Sequence, residues 1–142
     1  MIDKHCDILV FMNAPSPYWR DFAEYLGQHY SIKFIFYSTC SELGRPKFWD
    51  LEMPANCSIV RDGVIRRKSY FYDKKVVSRI KQHNPKVVVS QGVNLVSAWN
   101  ALNYCKKSKI HFSIWNETWR NKNGRHRKIV SLIYAYLFRN SN

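Results

Sequence analysis

The chain has no CxxC pair. Its four cysteines, Cys6, Cys40, Cys57 and Cys105, stand far apart. Neither a zinc knuckle nor a dithiol redox motif is indicated, and reduced, part-buried thiols in a cytosolic protein are the expectation. His5, His29, His83, His111 and His126 show no metal-ligand spacing, so no metal is expected. No GxGxxG and no GxxxxGK[ST] stretch occurs, which argues against dinucleotide and P-loop nucleotide binding. Long apolar runs are missing too. The N-terminal segment holds only about six apolar residues in a row, too few for the core of a secretory signal. Ile129 to Phe138 runs for about ten residues, far short of a membrane span. Without a secretory signal, the two sequons, Asn56-Cys57-Ser58 and Asn116-Glu117-Thr118, are read as chance. Repeats and low-complexity tracts are absent.

Acidic residues are scarce after residue 60. Residues 61–142 hold eighteen Lys/Arg against three Asp/Glu, whereas residues 1–60 hold five against seven. The basic part is suited to an anionic partner: nucleic acid, anionic lipid head groups or a phosphorylated small molecule. At 142 residues with 46% hydrophobic and 23% charged residues, the chain is expected to form one globular domain. Aromatics reach 15%, which suits either a contact surface or an aromatic core.

Asp7 to Met12 is a continuous apolar run, as in a strand buried on both faces. Asn13-Ala14-Pro15-Ser16-Pro17 then makes a stiff turn, with Ser16 as N-cap and Pro17 as first helical residue. The helix is expected to turn Tyr18, Phe22, Tyr25, Leu26 and His29 to one face. A second strand covers Ser31 to Ser38, and residues 39–56 form a long loop, of a length that is usually functional. Cys57 to Val60 and Gly63 to Arg66 are short strands either side of an Asp62-Gly63 turn. Asp73 caps a helix with Val76, Val77 and Ile80 inward and Lys74, Lys75, Arg79 and Lys81 outward, stopped by Asn84-Pro85. Lys86 to Ser90 is a buried strand. Gln91-Gly92-Val93-Asn94 turns into a helix with Leu95, Ala98, Trp99, Leu102 and Cys105 on one face. The alternation of Lys109 to Trp115 predicts another strand, read as central, with His111 inside the core or behind a site. A last helix spans roughly Arg125 to Arg139 and is apolar around most of its circumference, so it packs on several sides or lies against a membrane or partner.

This order of elements predicts an α/β fold, a Rossmann-like parallel sheet with helices on both faces. Ligands in such sheets bind beyond the carboxyl ends of the strands. Three turns are expected to gather there: Asn13 to Tyr18, Gln91 to Asn94, and Asn116 to Arg120. Glu117 is the candidate to orient or deprotonate a substrate hydroxyl, against the plainer role of pairing with a nearby arginine. Arg120, Arg125, His126 and Arg127 are candidates to hold an anion. Trp49, Trp115 and Trp119 are candidates to stack on a ring, whereas Trp99 belongs to an apolar helix face. Arg66-Arg67-Lys68 and Lys74-Lys75, interleaved with Tyr70, Phe71 and Tyr72, suit single-stranded nucleic acid or an anionic membrane surface.

The first strand running into N-A-P-S-P-Y-W-R resembles the N-terminal domain of GT-B glycosyltransferases of family 4. So do the loop with Gly44-Arg45-Pro46-Lys47-Phe48-Trp49-Asp50, the helix ending in Asn84-Pro85 before Val87-Val88-Val89, then Gln91-Gly92, and the strand closing on Trp115-Asn116-Glu117-Thr118. The resemblance implies the acceptor-binding half of a sugar transferase of polysaccharide biosynthesis, acting on a glycan or lipid-linked acceptor. It implies that the loop Asn13 to Tyr18, with Pro15 and Ser16, reaches donor and acceptor, and that Asn116 and Glu117 lie on the acceptor side. With Gln91, Gly92, Trp119 and Arg120 of the other turns these form the expected substrate-binding set, and Glu117 is the catalytic candidate. The nucleotide-sugar donor would sit mainly on a second domain, expected to be missing here because the chain is a truncated product, a split subunit or an excised domain, with no tightly bound cofactor. The last strand of the first domain is also expected to be missing, and the 142 residues alone are not expected to transfer sugar. A cytoplasmic location, peripheral on the membrane face, fits that habit. The alternative is a basic α/β module that binds nucleic acid or anionic membrane without catalysis.

Overall fold

In the computed structural model, residues 5–67, 70–91, 94–115 and 127–140 are described. The elements are β1 (Ile8–Met12), α1 (Pro17–His29), β2 (Ile32–Phe36), β3 (Cys57–Ile59), β4 (Val64–Arg67), β5 (Tyr70–Asp73), α2 (Val76–His83), β6 (Val87–Gln91), α3 (Leu95–Ser108), β7 (His111–Trp115) and α4 (Arg127–Asn140). Two short 3-10 turns, Ser41–Leu43 and Lys47–Trp49, punctuate the long loop after β2.

Five strands pair in parallel in the order β3-β2-β1-β6-β7. The apolar run ILVFM sits at the centre because both of its faces must be covered. The chain leaves β1 toward β2 and β3, then returns on the other side through β6 and β7. The strand order therefore reverses between β1 and β6, where an open α/β sheet leaves its crevice.

Alternation along the strands divides the core in two. On one face Val10, Met12, Phe34 and Phe36 meet Trp19 and Ala23 of α1. On the other, Leu9, Phe11, Ile35, Val88 and Phe112 meet α2, α3 and Phe71 of β5. Helices thus flank the sheet on both sides, as expected of an α/β domain.

Several local readings are corrected. The stripe of α1 that packs on the sheet is Trp19, Phe22, Ala23 and Leu26, while Tyr18 and Tyr25 are 62% and 59% exposed and His29 is exposed. The two stripes are one residue apart, and the tyrosine hydroxyls favour water. Cys57 to Val60 does not form a hairpin with the segment after Gly63. Instead β3 joins β2 in parallel, and β4 pairs antiparallel with β5. Gly63, at φ 74°, redirects the chain between them.

Arg79 does not face outward: its Nε donates to the fully buried Asp73 carboxylate at 2.9 Å. Asp73 also accepts the N–H of Lys75, the residue just before α2, at 2.8 Å. The strand β7 is an edge strand among the described residues, not a central one, and His111 at its start is exposed. Its alternation suits an edge as well as a centre. Helix α4 lies on α3, where Tyr136 stacks on Trp99 with centroids 4.5 Å apart. Among the described residues, no helix is long and apolar enough to cross a membrane.

Candidate functional site at the carboxyl ends of the central strands

The turn after β1 and the turn after β6 meet through side-chain amides. The Asn13 main-chain N–H donates to Gln91 Oε1 at 2.9 Å. Asn94 Nδ2 donates to Asn13 Oδ1 at 2.6 Å, and Asn94 Oδ1 accepts the Phe71 N–H at 3.0 Å. Asn94 is 3% exposed, so both ends of its amide need partners, and both have them. The Asn13 carbonyl accepts the N–H groups of Tyr37 and Ser38 at 3.1 and 2.9 Å. One short turn therefore ties together the ends of β1, β2, β5 and β6.

Above these amides lies a cavity of about 270 Å³. Asn13, Ser16, Tyr18 and Gln91 give it polar groups, and Met12, Trp19 and Leu43 give it apolar surface. Arg45 is the charged residue among its described lining. Ser16 sits at the N-cap of α1, but its hydroxyl makes no capping bond. At the neighbouring rim, Trp115 ends β7 opposite Gln91 in the register, and its ring meets Trp19 edge-on at 5.3 Å.

The long loop after β2 forms the far wall, and carboxylates stiffen it. Asp50 accepts the N–H groups of Cys40 at 2.7 Å and Ser41 at 3.3 Å, and also the Ser41 hydroxyl. The hydroxyl bond above all, with the N–H bonds behind it, holds the Asp50 carboxyl below its ordinary value. Glu42 pairs with Arg61 and accepts the Thr39 N–H at 2.7 Å, and the Arg61 contact leads in keeping its carboxyl low. Arg66 of β4 donates to the Glu42 carbonyl. Cys40 Sγ reaches the Pro15 carbonyl at 3.4 Å. The loop is thereby joined to both the first turn and the β4–β5 hairpin.

The sequence-derived site residues divide into three groups. Asn13, Ser16, Tyr18 and Gln91 line one cavity. Pro15 is buried and presents its carbonyl to Cys40, so it holds the loop instead of lining the space. Gly92, Asn116, Glu117, Trp119 and Arg120 lie outside the described residues, as do Arg125 and His126.

Two residues were not named individually for a site, although Asn94 closes the turn Gln91 to Asn94 expected there. Asn94 carried a signal, an asparagine directly before an apolar helix. Arg45 stood inside the loop stretch quoted for the resemblance, but nothing local set it apart from its neighbours as a ligand residue.

The described lining can donate and accept hydrogen bonds, present an aromatic edge and attract an anion. It contains no carboxylate, so a general base would have to come from elsewhere. Among the described residues no group of three or more His, Cys, Asp or Glu is placed to hold a metal. Burial pushes the thiols of Cys57 and Cys105 up to about 12, which makes them poor nucleophiles. No family model, curated protein or solved structure matches the chain.

Proposed function

We propose that the cavity above Asn13 and Gln91 binds one ring of a hydroxylated, sugar-like ligand, and that the chain is the acceptor-binding half of a GT-B-type glycosyltransferase. What supports this is the pair of carboxamide side chains, Asn13 and Gln91, that line the cavity at the point where the strand order reverses, with the buried Asn94 amide holding Asn13 from behind. Carboxamides can donate to and accept from hydroxyl groups, each of which both gives and takes a hydrogen bond. At about 270 Å³ the space is smaller than the roughly 300–1,000 Å³ of sites that enclose drug-sized ligands. It suits a single ring with Trp19 beneath it, not a dinucleotide.

In this reading Gln91 and Ser16 orient the acceptor hydroxyl, and Glu117 removes its proton. The donor nucleotide-sugar is held by a second domain, on this chain's continuation or on a partner. The acceptor is a glycan or a lipid-linked saccharide presented at the cytoplasmic membrane face. A panel of methyl glycosides and short oligosaccharides, titrated against the protein by calorimetry, tests the binding step. The expected outcome is saturable binding that Gln91→Leu weakens by about tenfold or more, because the Asn13 N–H loses its acceptor and the ligand loses a partner. No binding by any saccharide, or full affinity in Gln91→Leu, contradicts the reading.

A second reading has its own observation. The outer face of the β4–β5 hairpin sets exposed Arg67 beside Tyr70 and Ile65 beside Tyr72. Such interleaving of charge and aromatic rings also suits single-stranded nucleic acid or an anionic membrane without any catalysis. Tight, strongly salt-dependent binding of single-stranded oligonucleotides, with no response to saccharides, would favour it.

A further inference from the structure

We propose that Arg45 makes the cavity selective for a sugar that carries an anionic substituent, a carboxylate or a phosphate ester. The inference rests on the reading of the cavity as a saccharide site and specifies what that saccharide must bear.

Arg45 is the charged residue among the described lining, and no carboxylate stands there to neutralise it. The nearest carboxylate on each side of it along its own loop is committed elsewhere, and Glu52 beyond them does not line the cavity. Glu42 is held by Arg61 and the Thr39 N–H, and Asp50 by Cys40 and Ser41. None of the ion pairs among the described residues includes Arg45. Its guanidinium lies 5.8 Å from the centre of the Trp49 ring. An aromatic face steadies a guanidinium while leaving its N–H edges open for an in-plane acceptor.

The backbone beneath it is equally restrained. The Arg45 N–H donates to the Cys40 carbonyl at 3.1 Å, and Cys40 is tied to Pro15 and Asp50. The cation is thus mounted on a fixed loop at the mouth of a cavity whose remaining polar groups are neutral. A neutral sugar uses Asn13, Ser16 and Gln91 and leaves the cation idle. A uronate or sugar phosphate engages all four, with the planar fork of Arg45 matched to two oxygens of the anion.

The test titrates the full chain and its Arg45→Gln variant with glucose, glucuronate, glucose 6-phosphate and inorganic phosphate. Arg45 is exposed, so the substitution spares the core, and circular dichroism verifies the fold. In the unaltered protein at least one charged sugar should bind about tenfold or more tighter than glucose. That ratio should collapse to near one in Arg45→Gln. The glucuronate and glucose 6-phosphate arms tell carboxylate from phosphate ester.

Equal affinities for glucose and both charged sugars would overturn the anion assignment and leave the saccharide reading standing. A preference that survives Arg45→Gln would overturn the assignment to this residue. Inorganic phosphate binding as tightly as glucose 6-phosphate would reduce the site to a bare anion site and remove the sugar from the proposal. Silence from every saccharide would take down the saccharide reading itself.

Discussion

The two faces of the sheet are built to different standards. The face under α2 and α3 is covered by two helices and the inner side of a hairpin, and Leu9, Val88, Ile80 and Leu102 there are fully buried, although a cavity of about 340 Å³ opens at its edge between α3, β7 and Asn140. Even its polar groups are mostly locked: Asp73 with Arg79 and Lys75, Ser97 with the Asp73 N–H, Asn94 with Phe71. The Tyr37 hydroxyl is the described exception. It is buried without a hydrogen-bond partner, and burial, with the nearby Asp73 charge, pushes it well above its ordinary value. The face under α1 is covered by one described helix. It leaves an apolar gap of about 130 Å³ between Trp19, Phe22, Leu26, Val89 and Trp115. The polar cavity opens on that same side, at the carboxyl end. The face under α2 and α3 holds the buried Asp73–Arg79 pair, and the polar cavity adjoins the face under α1. Asn94 links the two, bonding the hairpin through one end of its amide and the Asn13 turn through the other.

The sharpest way to break this contrast is at Asp73. Asp73→Ala leaves Arg79, with only 13% of its side chain exposed, without its carboxylate, and also strips the N–H of Lys75 of its acceptor. Urea unfolding should show a loss of about 3–5 kcal/mol, much of the roughly 5–15 kcal/mol a domain of this kind possesses. A loss below about 1 kcal/mol, the scale of an exposed pair, would mean that this face is not the anchor.

A milder comparison uses neighbours that point to opposite faces. Val88 is fully buried on the tight face, and Val89 lines the gap on the other. Val88→Ile should destabilise by about 1–3 kcal/mol through overpacking. Val89→Ile should be neutral or stabilise by up to about 1 kcal/mol, because its extra methyl fills empty space. Equal costs at both positions would erase the distinction.

The smallest expected effect depends on pH. The folded pKa of Asp50 lies below its ordinary 3.8. Its contribution is therefore complete above that ordinary value and lost as pH falls through the lower folded one. Acid should release the N–H groups of Cys40 and Ser41, and with them the Arg45 wall, ahead of the core. Hydrogen exchange of those two amides, measured against the Leu9 amide across that range, checks it. Simultaneous loss of all three would show that the loop is not separately held.

Much of the frame was legible because burial leaves a strong pattern. The runs DILVFM and KVVVS read as buried strands, and Pro17 and Asn84 marked helix ends. What failed was local choice among near-equivalent patterns. In α1 the aromatics permit two stripes one residue apart, and only the sheet decides that Trp19 goes inward. Asp62-Gly63 reads as a hairpin turn, yet the true partner of β4 is β5, where Phe71 and Asp73 face inward beside outward Tyr70 and Tyr72. The aspartate looked like a helix cap because nothing local announces a buried ion pair. At the site, Asn13 and Gln91 could be brought together in advance by strand topology. Arg45 could not, since its position depends on a loop shaped by Asp50, Glu42 and Cys40.

The most direct test of the central claim reads the side-chain amides themselves by nuclear magnetic resonance during saccharide titration. The account predicts that the NH₂ signals of Gln91 and Asn13 shift with saturation, while those of Asn100 and Asn103 on α3 stay where they are. Shifts confined to the hairpin, or no shift at Gln91 and Asn13 with any saccharide, would contradict it.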